Sequence, residues 1–101
     1  MKAYLIVDLT VHDNESYQAY VKQAPAFVAK HRGKYIVRGG DVDVIEGDWA
    51  PTRVVVLEFP DKAHLDGLVN DAEYQEVANI RRAATRTQMI AVAGCEPPAI
   101  G

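Results

Sequence analysis

The chain has 101 residues, 49% apolar and 25% charged, with a formal net charge of −3. That is the size of one domain with one core. Acids and bases are mixed along it, which argues against the concentrated basic surface that nucleic acid or an anionic membrane requires. Cys95 is the single cysteine, so no intrachain disulfide forms and nothing points to an oxidising compartment. The opening run MKAYLIVDLT is too short for a secretion signal and lacks a small-residue cleavage site. No stretch is long enough to span a bilayer, and the expected location is the cytoplasm.

Ala3 to Val11 alternates as a strand, with Ala3, Leu5, Val7 and Leu9 on one face and Tyr4, Ile6, Asp8 and Thr10 on the other. Asp13 is an N-cap for a helix from Asn14, whose apolar stripe is Tyr17, Tyr20, Val21, Ala24 and Val28. Pro25 within it predicts a kink or a split near Gln23 to Ala24. Lys30-His31-Arg32 followed by Gly33 predicts a basic helix end with a glycine cap.

Lys34 to Arg38 reads as a second strand. Gly39-Gly40 marks a bulge or bend, after which Asp41 to Glu46 alternates again, and Gly47 to Pro51 is a loop. Arg53 to Phe59 is the most apolar strand and is expected at the sheet centre. Val55, Leu57 and Phe59 face one way, and Val54, Val56 and Glu58 the other. Asp61 caps a helix carrying Leu65, Leu68 and Val69. Asn70-Asp71 breaks it, and Asp71 caps a continuation on which Tyr74, Val77, Ala78 and Arg81 share a face. Thr87 to Ala93 is the last strand. Residues 1–94 form the domain and 95–101 a tail.

The order β-α-β-β-α-β predicts an α+β, ferredoxin-like protomer: a four-stranded antiparallel sheet with its helices on one face. The other face is left bare, and pairing with a second copy is the simple remedy.

Tyr35 to Gly40, Glu46 to Trp49, Arg53, Glu58-Phe59-Pro60, Glu73-Tyr74-Gln75 and Arg81, taken together at this spacing, resemble the domain of unknown function family 1330 across nearly the whole chain. The resemblance implies a homodimeric α/β barrel, two ferredoxin-like protomers with helices outside. That fold hosts many unrelated chemistries, so it implies no reaction. Family members often carry Trp-Tyr where this chain has Leu68-Val69; if those aromatics line a ligand pocket, the resemblance implies a smoother and wider one here.

His12, His31 and His64 have no ligand spacing with one another or with Cys95, so no metal site is expected. Nucleophile elbows, phosphate loops and dinucleotide fingerprints are absent, so neither a metal nor a nucleotide cofactor is expected. The candidate site lies at the strand ends. Arg38 and Arg53 have the planar forks to clamp an oxyanion. Glu58 is read in two ways: as a partly buried general acid or base, or as a cross-strand ion pair with Arg38 or Arg81. Tyr74 stands as a proton-moving hydroxyl against core packing. Trp49 stands as a pocket lid against an interface anchor, and Asp41 as a ligand contact against a turn stabiliser. Tyr4, Tyr17 and Tyr20 are assigned to the core.

Two functions follow. In one, the protein binds or transforms a small, partly apolar or anionic molecule. In the other, the same residues knit a non-catalytic dimeric module.

Overall fold

The computed structural model describes residues 1–96. Four strands and three helices follow in the order β1 (Ala3–Val11), α1 (Asn14–Lys30), β2 (Lys34–Arg38), β3 (Arg53–Phe59), α2 (Lys62–Val69), α3 (Ala72–Ala84) and β4 (Thr85–Ala93). The sheet order is β2-β3-β1-β4, and all three pairings are antiparallel. This is the expected ferredoxin-like α+β arrangement, with β3 and β1 at the centre.

The alternation in β1 and β3 decides which side the helices cover. Ala3, Leu5, Val7 and Leu9 are buried together with Val55, Leu57 and Phe59. Leu65 and Leu68 from α2, Tyr17 and Val28 from α1, and Tyr74, Ala78 and Ala84 from α3 complete this core. The opposite face carries Ile6, Val54, Val56, Ile90 and Val92, and no described element packs over it; Ile90 is 60% exposed.

The three aspartates expected as N-caps act as such. Asp13 accepts from the Ser16 amide, Asp61 from that of His64, and Asp71 from those of Glu73 and Tyr74. Each satisfies donors that the first helical turn leaves without partners. Asp71 also receives Lys30 Nζ at 2.9 Å and His31 Nε2 at 2.7 Å, which ties the end of α1 to the start of α3.

Four details differ from the expectations. Helix α1 runs unbroken through Pro25, because packing on the sheet outweighs one missing amide. The α1 C-terminus closes with Gly33 N–H on the Val28 carbonyl and Arg32 N–H on that of Ala29, with Arg32 itself in the left-handed region at φ 62°. Gly33 is thus not the left-handed cap residue; its lack of a side chain makes room for the Phe59 ring, 2.6 Å from where a Cβ would stand. Gly39 ends β2 in a bend as expected, with φ 70°, but a bulge that was not expected lies upstream at Tyr35–Val37. Residues 41–46 form no strand and are exposed, Ile45 at 86%. Among the described residues their alternation has no neighbouring strand to pair with.

Candidate functional site

Between the sheet and the helices α1 and α3 lies a cavity of about 50 Å³. At roughly 10–15 Å³ per water, that is room for about three to five waters. Its floor is Leu5, Val7, Val55 and Leu57, and its polar wall is four tyrosines and three arginines. Each arginine lies over a tyrosine face: Arg38 over Tyr35 at 4.2 Å, Arg53 over Tyr17 at 5.8 Å and Arg81 over Tyr20 at 5.6 Å.

Local backbone geometry brings these groups together. β2 pairs Tyr35 with Leu57 and Arg38 with Val55, skipping Ile36 at the bulge. Leu57 and Val55 face the helices, so the bulge turns both Tyr35 and Arg38 to that side. Gly39 has φ +70°, and a Cβ there would stand 2.0 Å from Arg53 Nη1. The left-handed backbone favours glycine there, and any side chain would also push the Arg53 guanidinium out of its place. Arg81 follows Tyr74 by seven residues on the buried face of α3, and is only 6% exposed.

The cavity is electrostatically one-sided. Among the described residues, no carboxylate lies within ion-pair reach of Arg38, Arg53 or Arg81. The Nε atoms of Arg53 and Arg81 are buried and have no hydrogen-bond partner. A buried guanidinium donor without an acceptor is costly, and an anion placed there removes the cost. The Tyr20 and Tyr74 hydroxyls are 2.7 Å apart and hydrogen-bonded to each other. Burial, and then Tyr74 beside it, pushes the Tyr20 hydroxyl well above the ordinary phenol range, so it stays protonated. Burial likewise raises Tyr35, opposed by Arg38.

Of the residues singled out in the sequence, Arg38, Arg53 and Tyr74 line this cavity. Glu58 does not. It lies on the uncovered face, opposite in sense to Val55 and Leu57, and its Oε1 is 3.1 Å from Lys2 Nζ and 3.4 Å from Lys34 Nζ. Its ion pairs are therefore with two lysines and not with Arg38 or Arg81. The Lys2 hydrogen bond foremost, with Lys34, holds the carboxyl below the usual range rather than raising it. Trp49 is also on the uncovered side, where its Nε1 donates to Asp8 Oδ2 at 2.9 Å. Asp41 is exposed in the loop. Leu68 is in the core and Val69 is partly exposed, and neither lines the cavity.

Sequence reasoning missed Arg81, Tyr17, Tyr20 and Tyr35 as parts of this wall. The signal for Arg81 was an arginine on the apolar face of a helix, in register with Tyr74 and Ala78. Among the described residues, no three His, Cys, Asp or Glu side chains group as metal ligands. No described helix is long and apolar enough to cross a membrane.

Sheet, helices and cavity together define a ferredoxin-like α+β protein, the fold found in dimeric α/β barrels. The chain belongs to the family Domain of unknown function (DUF1330), whose model matches residues 2–95. No curated protein matches it. Among solved structures it is similar to a protein of unknown function from Rhodopseudomonas palustris, at 19% identity and TM-score 0.77, over 95% of this chain and 84% of that one. It is similar to SnoaB, a cofactor-independent oxygenase from Streptomyces nogalater, at 14% identity and TM-score 0.68, over 97% of both chains. A dimeric ferredoxin-like protein of unknown function from Jannaschia is 15% identical with TM-score 0.65, over 93% of this chain and all of that one. At these identities the likeness is one of fold.

Proposed function

We propose that this protein binds a small, partly apolar anion in the cavity between sheet and helices, as a cytoplasmic homodimer and without a metal or nucleotide cofactor. The observation that carries this reading is the set of three cavity guanidiniums with no carboxylate partner among the described residues, two of them with buried, unpartnered Nε atoms. Apolar side chains and tyrosine rings supply the rest of the wall, which suits a ligand with a hydrophobic body and one charged end. The described fold-mate SnoaB acts as an oxygenase without a cofactor. That supports a version in which the bound anion is also transformed, with charge stabilisation as the contribution of Arg38, Arg53 and Arg81.

Homodimerisation rests on the uncovered sheet face, where Ile90, Val92, Val37 and Trp49 are each exposed by 40% or more, and on the dimeric Jannaschia relative. Ile90→Asp is expected to convert the dimer to monomer in sedimentation.

A thermal-shift series with benzoate, phenylacetate and their uncharged amides tests the binding. The acids are expected to raise the melting temperature and the amides not. Arg38→Ala is expected to remain a folded dimer while losing the response. If no anion stabilises the protein, or if Arg38→Ala only lowers the melting temperature, the binding reading fails. The second reading, a non-catalytic dimeric module, then stands. It is favoured by the small free volume and by the packing of each arginine on a tyrosine ring.

A further inference from the structure

The geometry points to a narrower ligand class: the cavity takes a planar weak acid, a phenol or an enol, and holds it as its conjugate base, the proton passing to solvent. This inference rests on the binding reading above and specifies its ligand.

The titratable groups facing the cavity come from four elements. Helix α1 supplies Tyr17 and Tyr20, β2 supplies Tyr35 and Arg38, β3 supplies Arg53, and α3 supplies Tyr74 and Arg81. β1 and β4 present only apolar side chains there, Leu5, Val7, Leu9 and Met89, and α2 presents none. No Asp, Glu or His lines the space among the described residues, so nothing inside accepts a proton near neutral pH. A site with three cations and no base cannot take the proton from its ligand, but it strongly favours the form that has lost it.

The hydroxyl pair sets the kind of anion. When Tyr20 and Tyr74 hydrogen-bond at 2.7 Å, one hydroxyl donates to the other and a single O–H is left over. That proton suits one oxygen carrying delocalised charge. Flat surfaces surround it: Tyr17 and Tyr20 stack with centroids 5.9 Å apart and planes at 25°. The free volume limits the guest to about one small ring, with Arg38 exposed at the mouth and stacked on Tyr35. The step is a simple ionisation. The ligand O–H breaks, its electron pair stays on oxygen, the proton goes to buffer, and no oxidant or reductant takes part.

Optical titration of para-nitrophenol, with and without excess protein at low halide, tests this. The bound phenol is expected to ionise at least about one pH unit lower than the free one, a tenfold or greater preference for the anion. Benzoate is expected to displace it. Arg53→Gln is expected to abolish the shift, and Arg38→Gln, at an exposed position that tolerates substitution, to reduce it severalfold; circular dichroism checks that both are folded. Binding with the ordinary ionisation midpoint, or a shift that survives in both folded variants, overturns this inference and leaves anion binding in place. Failure of both benzoate and para-nitrophenol to bind overturns the two readings together.

Discussion

The two faces of the sheet handle charge in opposite ways. On the uncovered face the two strand acids have partners: Glu58 sits between Lys2 and Lys34, and Asp8 accepts from Trp49. On the helix-covered face Arg53 and Arg81 bury guanidinium atoms with no acid opposite. One strand serves both faces, since β3 sends Arg53, Val55, Leu57 and Phe59 inward and Val54, Val56 and Glu58 outward. Compensated charge fixes strands. Uncompensated charge in a dry place costs stability, and the proposed anion is what would offset that cost here.

The comparison breaks most severely at the last two residues of β3. Phe59 is fully buried, and Phe59→Ala is expected to cost about 3–5 kcal/mol in urea unfolding. Glu58→Gln, one residue earlier, is expected to shift the midpoint far less and to leave anion binding intact. A large loss of binding in Glu58→Gln would return that carboxyl to the site.

Next in size is Arg81→Met. It removes a buried, unpartnered charge and keeps the volume, so the ligand-free protein is expected to gain about 1–3 kcal/mol while anion binding disappears. A destabilised variant would mean that the stack on Tyr20 outweighs the desolvation of the charge.

Asp71 is the internal control for compensated charge. The hydrogen bond from Lys30 first, and then that from His31, hold its carboxyl well below its ordinary value of 3.8. A folded value below the unfolded one adds stability that is complete above the ordinary carboxylate range and is lost as pH falls beneath it. Asp71→Asn is therefore expected to melt several degrees lower at neutral pH and to show a shallower decline in melting temperature below about pH 4. The smallest effect is expected at Arg32, whose left-handed backbone carries a side chain. Arg32→Gly is expected to add about 0.5–1 kcal/mol in the same unfolding assay.

Much of this was legible in the sequence. Strand alternation, the three aspartate caps and the break at Asn70 are local signals, and each needs only neighbours within a few residues. The meeting of Arg38 with Arg53 was also anticipated. The separation of Glu58 from Arg53 was available from parity alone, since residues five apart in a regular strand point to opposite faces. What could not be read were the facts set by register and by the third dimension. The lysines that hold Glu58 come from the residue preceding β1 and from the start of β2. The Tyr20–Tyr74 bond joins α1 to α3. The alternation of 41–46 resembles a strand only until a pairing partner is sought.

The bulge at Ile36 has a consequence for how this site could arise and vanish. With strict alternation Tyr35 and Arg38 would point to opposite faces; with one residue skipped they share one. The strand is an edge, where insertions and deletions are absorbed without repacking the centre. Deleting one residue here is expected to act like a frameshift in side-chain direction, turning Arg38 from the helix-covered side to the uncovered face while the alternation of β1 and β3 stays as it is.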